Sequence, residues 1–369
     1  MTLPQQDRAH MQAALALAER GLGDTWPNPS VGCVIVRDGV VVGRGRTQAG
    51  GRPHAETEAL AVAGAAARGG TAYVTLEPCS HHGKTPPCSD ALVAAGIARV
   101  VAATGDPDPR VNGSGFAKLR TAKIAVEEGL LQTEARALNR GYLLHVTDGR
   151  PLFTLKTATS LDARIATASG ESKWITGAVA RDAGQVLRAR HDAILIGSET
   201  AIADDPALTC RLDGYQGRAK IRIVLDRRLR LSPTSQLART ARTVPTWVIT
   251  TAEAATARGA DLSQTGVQVI DAGDAGDDVA FAQACATTLS GRGLTRVLIE
   301  GGGRVAAAFL KAHLIDQLAW FRARTALGAD ARPGIGALDI TRLADAPRFT
   351  RTSAMTLGGD TLELFDRTE

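Results

Sequence analysis

Apolar and polar positions follow two rhythms along this 369-residue chain, one helical and one extended. The first 20 residues set Met11, Leu15, Leu17 and Ala18 among polar neighbours and predict an amphipathic helix. VGCVIV and VVVGRG flank Arg37-Asp38-Gly39 and predict a hairpin over 31–46. An Ala-rich helix over 54–68 stopped by Gly69-Gly70, a strand over 72–77, a helix over 88–96 and a strand over 99–104 follow. GFAKLRTA reads as a short helix, KIAVEEG as a strand, and 131–145 as a helix. That order implies an α/β/α layered domain. VTDGRP, 146–151, has turn chemistry, so we place a boundary there, giving segments 1–147 and 148–369.

The second segment restarts with a strand, LFTLKTA. A helix near 178–190, strands DAILIG, IRIVLD and TWVIT, a helix near 278–291, strand RVLIE, helix AAAFLKAHL and a strand-rich C-terminus come next. This is again α/β, with a mostly parallel sheet. The Ala/Gly-rich stretch 252–278 reads as a helix and loop, and no internal repeat is visible.

Composition narrows the function. Hydrophobic residues make up 44% and charged residues 22%, the profile of a globular protein. The net charge of +5 is spread among acids with no run of five basic residues, which suits a phosphorylated small molecule better than a polymer. Nucleic-acid binding and membrane association are therefore not expected. No segment reaches the ~18 apolar residues of a membrane span. Five cysteines, an odd number, and no apolar leader imply reduced thiols and a cytoplasmic enzyme. Cys33 in VGCVIV reads as a packing residue, and Cys210 and Cys285 carry no motif.

The strongest chemical signal is His54-Ala55-Glu56 followed by Pro78-Cys79 and Cys88. One imidazole and two thiolates are a catalytic zinc set with the fourth position open for water. Glu56, two residues from the ligand, suits a proton shuttle. Pro53 fits the first turn of a helix, and both ligand groups fall where helices should begin. A closed structural site with His81 or His82 as fourth ligand is the alternative reading. The pattern resembles the zinc deaminase signature, with SHHGKTPP inserted between the two cysteines.

That insertion, PCSHHGKTPPC, and the upstream PNPSVGCVIV resemble the deaminase domain of the bifunctional riboflavin-biosynthesis deaminase/reductase family. The resemblance implies a cytidine-deaminase-like α/β/α domain over 1–147. Its implied substrate is a diaminopyrimidinone carrying ribose 5-phosphate, whose ring amino group is replaced by oxygen. It assigns His54, Cys79 and Cys88 to Zn2+ and Glu56 to proton transfer. Asn28 would bind the ring, His81 would line the pocket, and Lys84 would meet the phosphate. The family commonly has His where this chain has Thr47, and His-Ala-Glu-Val-His where this chain has Thr57 and Glu58.

In the second segment, KTATSLDARIA, GESKWITG, ADDPALTCR and IEGGGRVAAAFL resemble the reductase domain of the same family, which implies a dihydrofolate-reductase-like α/β fold and NADPH. The family usually has Gly where this chain has Ala163, and ARTALGADARP lacks a common Pro-Lys pair. Gly301, Gly302 and Gly303 follow a strand and open a helix, a turn that lets backbone amides approach a pyrophosphate. Arg227 and Arg228, just past IRIVLD, could hold the adenosine 2′-phosphate. Lys156, Asp204 and Glu300 are the expected proton donors. By resemblance, Ala158, Trp174, Thr200 and Asp204 lie along the cofactor. Ser172, Arg188, Leu208, Arg211 and Glu300 meet the substrate, the arginines as phosphate forks. For Trp174 taken alone, core packing is the default.

The leading function is thus deamination over 1–147 followed by reduction of the ribosyl group to ribityl over 148–369, in a homo-oligomer, dimer or tetramer. Two alternatives stay open at this point. One is a deaminase of another base or nucleoside fused to an unrelated reductase. The other is a zinc-stabilised nucleic-acid-binding protein.

Overall fold

In the computed structural model, which describes residues 3–83, 86–273 and 276–368, the chain divides into two compact units, 1–149 and 150–369. The first unit opens with α1 (Leu3–Glu19) and a hairpin of β1 (Gly32–Arg37) and β2 (Val40–Arg46). It continues through α2 (Ala55–Ala63), β3 (Thr71–Val74), α3 (Cys88–Ala94), β4 (Arg99–Ala102), α4 (Ser114–Thr121) and β5 (Ala125–Glu128). It closes with α5 (Gln132–Leu138) and α6 (Arg140–Asp148). Its five strands lie in the order β2-β1-β3-β4-β5, with β1 antiparallel to both neighbours and β3, β4 and β5 parallel.

Side-chain alternation along β1 builds the layers. Cys33 and Ile35 pack with Ala55, Ala59, Leu92, Phe116 and Leu119 on one face, under α2, α3 and α4. Val34 and Val36 pack with Met11, Ala14 and Ala135 on the other, under α1 and α5. The result is the expected α/β/α sandwich, and Cys33 is fully buried in it.

One contact places α2. A Cβ added at Gly43 would lie 2.2 Å from the Ala59 carbonyl oxygen, and one at Gly45 would lie 2.2 Å from that of Ala55. Only glycine on that face of β2 lets the helix backbone come so close. α2 stops at Gly64, in the left-handed region with φ 52°, and a single 3-10 turn over Gly64–Ala67 replaces the rest of the expected helix. The expected helix over 131–145 is divided at Asn139 into α5 and α6. The Asn139 side chain accepts from the Ser30 amide at 2.9 Å and donates to the Ser30 carbonyl at 3.0 Å, tying the helices to the start of β1. VTD, expected as turn, instead completes α6, which Gly149 caps with φ 65°.

A second tie holds the loop between β4 and α4. Glu77 is 4% exposed, and its carboxylate accepts from the amides of Asp106 (3.2 Å), Gly113 (3.0 Å), Gly115 (2.9 Å) and Phe116 (3.3 Å). Those amides would otherwise be unpaired at a helix start and its approach.

The second unit begins with β6 (Leu152–Thr159), β7 (Arg164–Ala166), α7 (Ala178–Ala189), β8 (Ala193–Gly197), α8 (Ser198–Asp204) and β9 (Ile221–Leu225). Then come α9 (Gln236–Arg239), β10 (Thr246–Thr250), α10 (Ala252–Gln264), β11 (Gln268–Asp271), α11 (Asp278–Gly291), β12 (Arg296–Ile299) and α12 (Gly303–Lys311). β13 (Ile315–Arg322), β14 (Arg332–Pro333), β15 (Phe349–Leu357) and β16 (Asp360–Arg367) make the strand-rich end. Nine strands form one sheet in the order β11-β10-β9-β8-β12-β6-β13-β16-β15. Pairings from β11 through β13 are parallel, and the final hairpin is antiparallel. The short elements β7, α8, α9 and β11 lack the length to show a period in sequence. Among the described residues, no helix is long and apolar enough to cross a membrane.

Ala163 occupies the position where glycine is common, and its φ is +62°. Its amide donates to Ser160 and its carbonyl accepts from Gly334 at 2.9 Å, which fixes that conformation.

Two outcomes are expected. Ala163→Gly removes a left-handed strain of roughly 1–2 kcal/mol, against a glycine entropy cost of roughly 0.5–1 kcal/mol. The variant should therefore gain up to about 1 kcal/mol in equilibrium urea unfolding, and a clear loss would refute the strain. Glu77→Ala should lower the local stability of segment 105–116 by roughly 2–3 kcal/mol, seen as about 100-fold faster amide exchange at Gly113, Gly115 and Phe116. Unchanged exchange there would show that the loop is held by something else.

Candidate metal centre and nucleotide-binding edge

α2 and α3 bring the three candidate ligands together. His54 is the N-cap residue of α2, Cys88 is the first residue of α3, and Cys79 lies in the irregular segment after β3. Pro53 precedes the cap instead of entering the first turn, and Cys79 is not at a helix start. Its sulfur nevertheless accepts the Cys88 amide at 3.3 Å, so the beginning of α3 still serves it. His54 Nδ1 lies 3.3 Å from Cys88 Sγ and 3.6 Å from Cys79 Sγ, and all three ligand atoms fall within 4.8 Å of one another. Tetrahedral bonds of ~2.1 Å to nitrogen and ~2.3 Å to sulfur set ligand atoms about 3.5–3.8 Å apart, so the set fits zinc. The hydrogen bond with Cys88 holds the Cys79 thiol well below its usual range. His81 and His82 do not join this group among the described residues, which leaves the closed four-ligand site without support.

Glu56, in the first turn of α2, is 3% exposed. Burial raises its carboxyl to about 7, and the Cys79 charge adds to the rise. His54, Glu56 and Cys79 line a cavity of about 320 Å³ together with Asn28, His81 and Thr47. The Nδ1 of His81 is buried and has no hydrogen-bond partner among the described residues. Thr47 has turned to structure: its hydroxyl accepts from the Val31 amide at 2.9 Å. Lys84 lies outside the described residues.

The sequence reading missed one wall of this cavity. Asp106, Asp108, Arg110, Tyr142 and His145 also line it. The Tyr142 hydroxyl lies 3.2 Å from both Asp106 carboxylate oxygens, and burial raises Asp106 to about 6. Arg110 donates through Nε to Asp108 at 3.0 Å. The available signal was Asp106-Pro107-Asp108-Pro109, a polar turn just past a buried strand.

In the second unit, β8, β9 and β12 are parallel neighbours whose carboxyl ends lead into Thr200 and Asp204, Arg227, and Glu300 to Gly303. The chain runs outward from β8 to β11 and returns to β12 beside β8. Ligands favour such a reversal point in parallel sheets. The three glycines differ in what they do there. A Cβ at Gly303 would meet the Pro333 carbonyl oxygen at 2.7 Å, so packing of the 333–336 segment explains it. At Gly301 the neighbour is Val305, 3.0 Å away. At Gly302 the nearest of other atoms is Thr200 Oγ1 at 3.7 Å, an ordinary contact distance.

The expected substrate residues meet in part. Arg188 clasps Glu300 through Nε and Nη2, both at 2.7 Å, and gives Nη1 to the Thr209 carbonyl at 2.7 Å. Although burial favours the neutral acid, Arg188 and then Lys156 hold Glu300 down at about 2. In this arrangement the Glu300 carboxylate engages the Arg188 fork. The Arg211 amide bonds Gln185 Oε1 at 2.8 Å on the same helix, leaving its side chain exposed. Leu208 is buried in the core with Ile194 and Val224. Ser172 and Ala158 are half-buried and Asp204 is exposed. Trp174 is 70% exposed, against the default of core packing, with the Arg181 guanidinium 4.5 Å above its ring. Arg227 bonds Asp278 at 3.2 Å, and Arg228 is exposed.

Comparison with known proteins agrees with this arrangement. Residues 4–104 match the cytidine and deoxycytidylate deaminase zinc-binding region, and residues 151–362 match the RibD C-terminal domain. The riboflavin biosynthesis protein RibD of Escherichia coli (strain K12) is 44% identical over 366 residues, covering 96% of this chain and 98% of that protein. RibD of Aquifex aeolicus (strain VF5) is 39% identical, covering 98% of each. A solved structure of Acinetobacter baumannii RibD superposes with a TM-score of 0.89 at 40% identity, covering all of both chains. A Thermotoga maritima diaminohydroxyphosphoribosylaminopyrimidine deaminase/5-amino-6-(5-phosphoribosylamino)uracil reductase superposes with a TM-score of 0.86 at 33% identity, again over all of both chains. With a zinc-deaminase fold in one unit, a reductase fold in the other and similarity running through both, the chain belongs to the RibD family of bifunctional riboflavin-biosynthesis deaminase/reductases.

Proposed function

We propose that this enzyme deaminates 2,5-diamino-6-ribosylamino-4(3H)-pyrimidinone 5′-phosphate in residues 1–147 and reduces the ribosyl group of the product to ribityl in residues 148–369. The observation that carries the first half is the convergence of His54, Cys79 and Cys88 beside buried Glu56 in a cavity that Asn28 and His81 also line. Neither a different base nor a nucleic acid is favoured by the family to which the chain belongs.

Bound by those three residues, zinc supplies a Lewis acid that brings the pKa of water near ~7. Glu56 takes the proton from the attacking water and returns it to the departing amino group, so that water enters and ammonia leaves. Asn28 orients the ring, and His81 offers its unpaired Nδ1 to the substrate. Lys84 is assigned to the phosphate.

In the second unit a nicotinamide cofactor, NADPH, supplies hydride to the former anomeric carbon. Thr200, Asp204 and the Gly302 peptide line its path, with Ala158 and Trp174 beside it. Glu300, ionised, keeps Arg188 in place. Lys156 and Asp204 are the remaining proton donors for opening the ribose. Ser172 and Arg211 contact the substrate. We further assign the protein to the cytoplasm as a homo-oligomer, a dimer or tetramer, which sedimentation measures directly.

The deciding experiment incubates the purified protein with the diaminopyrimidinone ribotide, with and without NADPH, and reads the products by mass. Exchange of ammonia for water, a net gain of about one mass unit, is expected without NADPH, and a further gain of two hydrogens with it. Glu56→Gln should keep the metal and lose deamination. Zinc lost together with activity would make Glu56 a ligand. Cys79→Ser and Cys88→Ser should each lower zinc content and deaminase activity while reduction of the deaminated substrate survives. Replacing Arg227 and Arg228 by Ala should narrow the NADPH/NADH preference several-fold, chiefly by weakening NADPH. Equal use of both cofactors by the unaltered enzyme would overturn that assignment.

A further inference from the structure

Two residues of the segment after α8 hold a backbone conformation that side chains disfavour. Asp205 has φ +36° and Leu208 has φ +51°. In that left-handed region a Cβ crowds the carbonyl oxygen that follows it. Such strain persists where the surroundings over-determine the chain, and it gathers at ligand clamps. The surroundings of 205–211 act from two sides. On one side Asp205 Oδ1 accepts the Gln236 amide at 2.7 Å, and the Ala207 carbonyl accepts Arg222 Nη1 at 3.2 Å. On the other side the Thr209 carbonyl accepts Arg188 Nη1 at 2.7 Å. There too the Cys210 thiol donates to the Gln185 carbonyl at 3.6 Å, and the Arg211 amide donates to Gln185 Oε1 at 2.8 Å. Leu208, between the two sets in sequence, is buried.

Arg222 lies in β9 and is 1% exposed. Its Nε donates to Thr246 Oγ1 at 3.0 Å, and its Nη2 to the carbonyls of Leu237 at 3.1 Å and Val244 at 2.9 Å. Its Nη1 donates to Thr240 Oγ1 at 2.7 Å as well as to Ala207. All five N–H groups are thus engaged, each by a neutral oxygen. Burial pushes the guanidinium down to about 10, so it keeps its charge at neutral pH. An apolar side chain of similar volume would fill this space without a buried charge. What the guanidinium adds is reach: one rigid fork binds the α9–β10 connection and the Ala207 carbonyl together. Gln185 and Arg188 are three apart on α7, so they share a face of that helix. That face takes Thr209 and Arg211, alternate residues of the strip, and the Arg211 side chain is left exposed.

We propose that Gln185 and Arg222 are positioning residues of the reductase, which lock 207–211 so that the exposed Arg211 side chain is presented to the substrate. This rests on the assignment of Arg211 to the substrate. Neither residue touches a ligand in this role. Each acts through the backbone of the strip: Arg222 through the Ala207 carbonyl, Gln185 through the amide of Arg211 itself.

The test measures NADPH oxidation with the deaminated ribotide as substrate, in the full-length protein, alongside amide exchange and thermal melting. It compares the unaltered chain with Gln185→Met, Gln185→Glu, Arg222→Lys and Arg211→Ala. Arg211→Ala should raise KM about tenfold. Gln185→Met should raise KM about fivefold with kcat within about twofold, and should speed exchange at the Arg211 amide about tenfold. Gln185→Glu keeps an acceptor for that amide and should hold its exchange within about threefold of the unaltered protein. Arg222→Lys keeps the charge but not the fork, and should raise KM about fivefold. Should the lysine variant fail to fold, the half-buried Gln185 variants still decide the matter. Faster exchange at Arg211 in Gln185→Met with KM unchanged, beside a raised KM in Arg211→Ala, would overturn the positioning role and leave the Arg211 assignment standing. An Arg211→Ala variant with unchanged KM would end that assignment, and the proposal with it. For Arg222→Lys, a lowered melting temperature with evenly faster exchange across the unit and an unchanged KM would make Arg222 a residue of the core alone, against the proposal.

Discussion

The deaminase unit depends on how closely α2 can approach the β1–β2 hairpin. Gly43 and Gly45 remove two side chains from the face of β2, and the carbonyls of Ala55 and Ala59 fill the space. That contact sets the height of the helix start. His54 and Glu56 are carried on its first turn, so a backbone contact between small residues fixes the distance from imidazole to both thiols. The second ligand pair is anchored independently, by the Cys88 amide on the Cys79 sulfur. Metal geometry thus arises from packing and from one helix start, before any ion contributes.

The reductase unit solves a different problem. The residues proposed to bind its ligands come from the ends of several parallel strands and share no single anchor. Charge compensation does part of the positioning: Arg188 with Glu300, and Asp278 with Arg227 and Arg304. The buried pair and the exposed cluster have different consequences. The Arg188–Glu300 pair is largely shielded from solvent, so separating it would strand a charge. The Asp278 cluster is reachable by solvent and separates at little cost.

Periodicity revealed the long elements of both units, because a buried face spanning two turns or four residues leaves a repeating pattern. It overextended α2, since nothing in an Ala-rich run marks where Gly64 turns left-handed. It fused α5 with α6, since the bond from Asn139 to Ser30 spans 109 positions and leaves no local trace. The zinc set was legible because its ligands sit in a compact motif. Asp106, Tyr142 and His145 were not, because two distant segments supply them. The pairing of Glu300 with Arg188 spans 112 positions and left no local trace either. The glycine triplet was read as one device, yet Gly303 answers to the 333–336 segment and Gly301 to Val305.

The four amides gathered by Glu77 give the deaminase cavity a wall of a particular mechanical kind. Asp106, Gly113, Gly115 and Phe116 share one anchor point, so the segment bearing Asp106, Asp108 and Arg110 cannot loosen residue by residue. It is either seated as a plate or released as a whole. A molecule entering the cavity meets a wall already tied in place by Glu77. Little ordering of the segment is left for binding to accomplish, and more of the contact energy remains available to orient the ring against Glu56.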